Sequence, residues 1–214
     1  MEFHSSVRVP VWEIAKVNLK HNARRPVALA AVLCMLIPVL TGTANLDEVS
    51  SAVPLEMFVS LVGVILLVPV FGPEQKEEID DLVSSKYLDP IRVYRIRMLC
   101  SLTLTALCII LFAAYLDMRN CKTGILSVMG TWADAVFLGN LGLFTCAVCE
   151  NTVIGYMPPL LYYGLNIGMG PKLGNFWLFS MTAGEYGPKL WLGAAGVLLG
   201  MTSLWCRKYK RQMR

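Results

Sequence analysis

Charged residues are scarce in this chain of 214 residues. Asp, Glu, Lys and Arg together make up only 16% of it, whereas a soluble domain averages about 25%. Hydrophobic residues make up 56%, which excludes a disordered chain and disfavours an ordinary soluble domain. A chain of this composition is expected to lie mainly in lipid. Six membrane-spanning helices of about 20 residues each would leave no room for a further soluble domain.

Residues that carry catalysis or bind metals are also rare. The only two histidines, His4 and His21, lie near the N-terminus, and no cluster of His, Asp and Glu has the spacing of a metal or acid–base site. No Gly-x-x-x-x-Gly-Lys-Ser/Thr motif is present, so nucleotide binding by a P-loop is excluded. A net charge of +4 is too weak to indicate nucleic-acid binding. We therefore expect no active site, metal or cofactor on this chain, and a membrane-embedded enzyme is only a minor alternative.

Long apolar runs predict an all-α integral membrane protein with six transmembrane helices. The tract from Gly130 to Gly170 is too long for one crossing, and Glu150-Asn151 divides it into two. The predicted spans are 27–43, 53–71, 98–116, 131–149, 152–169 and 190–206. Residues 1–25 precede them and are predicted to form an interfacial amphipathic (elbow) helix, because Lys16, Lys20 and Arg24 share one face. The alternative is a solvated helix against a soluble partner.

Lys and Arg are distributed unevenly among the predicted loops. Fifteen of the 19 lie in residues 1–25, in the loop at 72–97 or in the tail at 207–214. The other four fall in the loops expected on the outer side, and they are Arg119, Lys122, Lys172 and Lys189. Because basic residues concentrate on the cytoplasmic side, we expect both termini to be cytoplasmic, with the six-span domain at 26–206, a basic cytoplasmic tail at 207–214, and the chain in the plasma membrane.

The loop at 72–97 has the pattern of a docking helix. Pro73 suits a helix start, and acidic residues follow in the first turns, where they complement the helix dipole. Ile79, Leu82 and Val83 form one narrow apolar stripe. The stripe and its flanks comprise Glu74, Glu78, Ile79, Leu82, Val83 and Lys86. Such a stripe predicts a contact with another chain, or with lipid headgroups or helices of the same chain.

Phe71-Gly72-Pro73-Glu74, the acidic segment after it and Val93-Tyr94-Arg95-Ile96-Arg97 resemble the cytoplasmic loop of bacterial ABC-type-2 transporter permeases. Phe179-Ser180-Met181 and Lys189-Leu190-Trp191-Leu192 are similar to the late part of small members of that family, and the six-span layout is similar as well. The resemblance implies a transmembrane permease subunit that exports a peptide, a lipid or an amphipathic small molecule. ATP and Mg²⁺ would then bind to separate cytoplasmic ATPase subunits, and a second permease subunit, identical or related, would complete the transporter.

The resemblance also assigns contacts to the ATPase. It implies that the helix from Pro73 to Lys86 is a coupling helix seated on the ATPase subunit. Glu150 and Asn151 would form a second, smaller contact, although this chain has almost no loop there.

Two stripes of small residues predict helix-packing faces. The first comprises Ala135, Gly139, Gly142 and Cys146 in the fourth span, and the second comprises Gly196 and Gly200 in the sixth.

Polar residues within the predicted spans are candidates for a translocation path. Asp134 and Glu56 are expected near the outer ends of their spans, where solvation at the interface is the simpler interpretation. Asn140 lies deeper. The outer segment at 170–188 contains Phe176, Trp177 and Phe179. It is predicted either to dip back into the bilayer as a re-entrant gate, which the family resemblance implies, or to form an interfacial aromatic belt.

Two further alternatives are a secondary carrier and a non-transporting accessory or immunity-type membrane protein. Secondary carriers usually show internal repeats and charged groups near the bilayer midplane. We find no repeat and no mid-span charge pair.

Overall fold

The computed structural model describes residues 11–75 and 90–213, and it contains helices and no strand in those ranges. The helices are α1 (Val11–Val17), α2 (Arg24–Thr41), α3 (Glu48–Gly72), α4 (Pro90–Met118), α5 (Ile125–Cys149), α6 (Thr152–Met169) and α7 (Gly187–Met213). A π-helical turn at Asn18–Asn22 follows α1. Two short 3-10 helices, Gly170–Phe176 and Met181–Ala183, lie between α6 and α7.

Five helices, α2, α3, α4, α5 and α7, are long and apolar enough to cross a membrane. The chain is therefore a membrane-embedded helical protein. Helix α6 is not among the five. It has 18 residues, runs through Pro158 and Pro159 without a break, and buries Asn166.

Several helices are longer than their apolar runs. Helix α3 begins at Glu48 instead of residue 53, α4 begins at Pro90 instead of residue 98, and α7 begins at Gly187 instead of residue 190. Hydropathy marks only the apolar part of a helix, whereas backbone hydrogen bonding continues through polar residues at its ends.

The predicted break between α5 and α6 is confirmed. Glu150 ends α5 in the left-handed conformation, with φ of 53°. The side-chain oxygen of Asn151 accepts hydrogen bonds from the backbone N–H groups of Val153 (2.8 Å) and Ile154 (3.4 Å). Asn151 is thus an N-cap, which satisfies two backbone donors that have no partner within α6.

Helix α5 lies between α3, α6 and α7, and its small residues allow their backbones to approach. Ala135 is fully buried, and its carbonyl oxygen lies so close to Gly63 of α3 that a Cβ atom there would be 2.0 Å away. One turn further along α5, Gly139 contacts the carbonyl of the same Gly63. Gly142 and the buried Cys146 face Gly155 of α6.

The second stripe of small residues also faces α5. Gly196 of α7 lies against the backbone of Phe137, and Gly200 lies against the side chain of Asn140. The structure therefore places both stripes in contacts within this chain.

Helix α3 contains a π-helical turn at Pro54–Val59. Pro54 lacks the N–H that a regular helix requires, and the wider turn moves the next side chains out of the α-helical register. Glu56 lies in this turn and is fully buried. Single π-helical turns occur frequently at functional sites.

Most of the predicted coupling helix, including Glu78, Ile79, Leu82, Val83 and Lys86, lies outside the described residues. Pro73 and Glu74 belong to a 3-10 helix at Val68–Gln75 that follows the regular part of α3.

Candidate functional site

Three ionisable side chains meet inside the helical bundle. The ammonium of Lys189 on α7 lies 2.5 Å from Oε1 of Glu56 on α3 and 2.6 Å from Oδ2 of Asp134 on α5. It also donates a hydrogen bond to the carbonyl oxygen of Leu178. The side chains of Glu56 and Asp134 are fully buried, and that of Lys189 is 6% exposed. We call Glu56, Asp134 and Lys189 the buried charge triad.

Both carboxylates of the triad lie inside their helices, away from the helix ends. Glu56 follows the start of α3 by eight residues and Asp134 follows the start of α5 by nine, which corresponds to about 12–14 Å at 1.5 Å per residue. The expectation that these carboxylates are solvated is wrong, because both side chains are fully buried in the protein. Charges in lipid are stabilised when they pair with one another, and Lys189 provides that pairing.

Lys189 is the functional candidate that sequence reasoning missed. It was expected in an outer loop, whereas it is the third residue of α7 and pairs with carboxylates on two other helices. The helix begins at Gly187, so Lys189 belongs to it and not to the loop. A signal was present, because Glu56 and Asp134 were two carboxylates in apolar runs that needed a cation.

The segment between α6 and α7 is bound to the triad through its backbone. The N–H of Met181 donates to Oε1 of Glu56 (2.8 Å), and the N–H of Thr182 donates to Oε2 (3.0 Å). Buried backbone N–H groups need a hydrogen-bond partner. The Glu56 carboxylate accepts from two such groups in this irregular segment.

A second polar anchor holds the same segment. The side-chain oxygen of the buried Asn166 on α6 accepts a hydrogen bond from the N–H of Leu178 (2.7 Å). The residues from Leu178 to Met181 are all buried. We call the segment 177–182 the bound segment.

The three predicted gate aromatics differ in their surroundings. Phe179 is buried, and its ring packs edge-on against Tyr163 of α6, with centroids 5.2 Å apart. Trp177 is half-buried, and Phe176 is 44% exposed. The structure thus places Phe179 close to the triad, and Phe176 on the surface.

Asn140 lies further along α5 than Asp134 and is buried. Its side-chain N–H donates to the carbonyl oxygen of Gly196 on α7 at 3.0 Å. It fixes the α5–α7 contact about two helical turns from the triad.

A second cluster lies at the other end of α7, and we call it the Arg207 node. The guanidinium of Arg207 is 3.1 Å from Oε1 of Glu150 and lies over the rings of Phe71 (5.6 Å) and Tyr94 (5.9 Å). These two rings pack edge to face, with centroids 5.1 Å apart. The node joins α3, α4, α7 and the α5–α6 turn by an ion pair and cation–π contacts. Glu150, a predicted ATPase contact, thus has a partner within its own chain.

Among residues 11–75 and 90–213, no group of three or more His, Cys, Asp or Glu side chains could hold a metal ion. The triad has only two carboxylates, and its centre is occupied by an ammonium group.

No family model, no curated protein and no solved structure matches this chain. Its class, a helical membrane protein with buried charges, is defined by the fold and the composition of its helices.

Proposed function

We propose that this chain is the membrane-spanning permease subunit of an ABC-type transporter. In this proposal α2–α7 are six spans, the elbow helix lies at the membrane interface, and both termini face the cytoplasm across the plasma membrane. Separate cytoplasmic ATPase subunits supply the energy, and a second permease subunit, identical or related, completes the path. The substrate is a peptide, a lipid or an amphipathic small molecule, which is exported.

The observation that carries the proposal is the bound segment, held at the buried charge triad by backbone hydrogen bonds to Glu56. Charged groups within membrane helices are costly, and they commonly mark transport paths. A stretch of irregular backbone held by a few polar contacts is also easier to move than a helix, since each contact can be broken separately. Transport needs such a movable element at the closed end of a path.

The Arg207 node supports the assignment of an ATPase partner. Phe71 is fully buried in the node and lies two residues before Pro73, where the predicted coupling helix starts. A force applied to that helix reaches Phe71 first, and through the ring contact with Arg207 it reaches α7. Helix α7 carries Lys189 of the triad at its other end.

The proposal is tested by co-purifying the chain with any ABC-type ATPase found to be encoded beside it and comparing two variants of the coupling helix. Leu82→Asp puts a charge on the apolar stripe, so we expect loss of ATPase binding and of ATP-dependent transport. Ser84→Asp adds the same charge two residues away on another face, and it should leave both intact. Normal complex formation and transport by Leu82→Asp would refute the coupling assignment.

A secondary carrier is the second candidate, and the buried charge triad is the observation that favours it. Secondary carriers bind their coupling ions at charged groups deep in the membrane. Transport that persists with a hydrolysis-deficient ATPase and stops when an ionophore collapses the ion gradient would favour the carrier. The opposite result would favour the permease subunit.

A further inference from the structure

The buried charge triad does not balance its charge. Lys189 makes three close contacts to acceptors, on Glu56, Asp134 and the Leu178 carbonyl. An ammonium has three N–H donors, one for each acceptor, whereas a neutral amine has only two. Lys189 is therefore charged. If both carboxylates were ionised as well, the site would hold one unit of negative charge in excess.

Glu56 has the surroundings of an ionised carboxylate. Its two oxygens accept hydrogen bonds from Lys189 and from the backbone N–H groups of Met181 and Thr182. Three donors directed at one carboxylate favour its charged form.

Asp134 has different surroundings. Its Oδ2 contacts Lys189, while its Oδ1 is buried and has no hydrogen-bond partner among the residues described. An ionised oxygen buried without a partner is strongly destabilised. Two carboxylates sharing a single cation resemble other paired carboxylates, in which one member keeps a proton because the two cannot both ionise.

We propose that Asp134 is an intramembrane proton-binding site and that it carries a proton on Oδ1 at neutral pH. The site then holds one carboxylate, one ammonium and one neutral acid, and its net charge is zero. Its ligand is a proton, taken up and released without a metal ion. The proposal goes beyond transport by an ATPase-driven permease and does not depend on it.

The ionisable groups that face Asp134 come from three packed elements. They are Glu56 from α3, Lys189 from α7 and Tyr162 from α6, whose hydroxyl donates to the Phe176 carbonyl. Two more ionisable residues lie in the segment before α7. The hydroxyl of Tyr186 contacts Ser127 on α5, about two helical turns from Asp134. Glu185 is exposed. Among these groups Lys189 is the one cation, so the charge balance rests on the triad itself.

The test is infrared spectroscopy of the purified chain in lipid nanodiscs, with the C=O stretching band of a protonated carboxylic acid as the readout. The wild-type spectrum minus that of Asp134→Asn should show one such band at neutral pH, shifted in D₂O. Glu56→Gln should lose the same band, because one carboxylate and one ammonium then balance. Lys189→Met should increase the intensity about twofold, because two carboxylates without a cation bind two protons. Glu185→Gln, which removes an exposed carboxylate of the neighbouring segment, should change nothing.

Folding of each variant is checked by gel filtration and thermal melting. If Lys189→Met does not fold, the comparison of Asp134→Asn with Glu56→Gln decides. The proposal is overturned if folded Asp134→Asn gives the wild-type spectrum, or if the band is retained at full intensity in Glu56→Gln. It is also overturned if Na⁺, but not choline at the same concentration, removes the band, since a metal ion would then occupy the site. None of these measurements requires an ATPase or a transported substrate.

Discussion

Gly63→Ala tests whether the close contact between α3 and α5 is as tight as the structure indicates. The new Cβ would lie 2.0 Å from the carbonyl oxygen of Ala135 and 2.6 Å from its carbonyl carbon. Real Cβ contacts essentially never fall below 3.0 Å, so the two helices must separate by about 1 Å or more at this point. Both neighbouring atoms belong to the backbone, so no side-chain rotation can relieve the clash.

The expected cost follows from two opposing terms. Overpacking a tight interior costs about 1–3 kcal/mol, while Ala is favoured over Gly in a helix by up to about 1 kcal/mol. Gly164→Ala on α6 is the matched control, because nothing lies within 4 Å of its new Cβ. The propensity gain is common to both variants. The difference in unfolding free energy between them therefore isolates the steric term. We expect the unfolding free energy of Gly63→Ala to be about 1–3 kcal/mol lower than that of Gly164→Ala.

Thermal melting in one detergent at one scan rate is the assay, since membrane proteins often unfold irreversibly and their midpoints then depend on the rate. A change of 1 kcal/mol shifts the midpoint by roughly 2–4 °C in a chain of this size. Separation of the helices also moves Asp134, the neighbour of Ala135 on α5, relative to Glu56 on α3, so the C=O stretching band of the protonated acid should change in Gly63→Ala. Equal midpoints for Gly63→Ala and Gly164→Ala would refute the close backbone contact.

Two further predictions concern the helix cap and the topology. Asn151→Ala removes the acceptor for the first N–H groups of α6 and should lower the unfolding free energy by about 1 kcal/mol in thermal melting, while Asn151→Asp retains an acceptor and should stay close to wild type. An unchanged Asn151→Ala would contradict the cap. In intact cells of a strain expressing an otherwise cysteine-free chain, Lys122→Cys should react with a membrane-impermeant thiol reagent, because Lys122 is exposed in the α4–α5 loop. A chain that retains only Cys121, which is 4% exposed, should react far more slowly. Protection of Lys122→Cys until permeabilisation would reverse the proposed orientation.

The long apolar runs were sufficient to predict most of the helices, because a run of about 20 apolar residues has few alternatives to a helix in lipid. The ends were harder to predict. Helix α4 extends back to Pro90 through Arg92, Arg95 and Arg97, and no hydropathy pattern distinguishes a charged helical turn from a charged loop.

Two carboxylates in apolar runs indicated a missing cation, but nothing in the sequence identified Lys189 as their partner, because the three residues are distant in the chain and share no local period. Glu56, Asp134 and Lys189 come from three helices, and their meeting depends on the π-helical turn in α3 and on the start of α7. The stripes of small residues were easier to recognise in the sequence. Their spacing indicated close contacts, but which helices they would face depended on the packing of the whole bundle.

Helix α7 has a consequence for thermodynamic linkage. It is one uninterrupted helix of 27 residues, and Lys189 and Arg207 are 18 residues apart on it, or about 27 Å at 1.5 Å per residue. A partner that binds more tightly to one position of α7 shifts that helix and moves Arg207. The same shift changes the distance between Lys189 and Asp134. Linkage is reciprocal. If such a partner changes the proton affinity of Asp134 by some factor, then protonation of Asp134 changes the affinity for the partner by the same factor. Partner binding measured at two pH values would therefore report on the protonation of Asp134 on α5, next to the far end of α7.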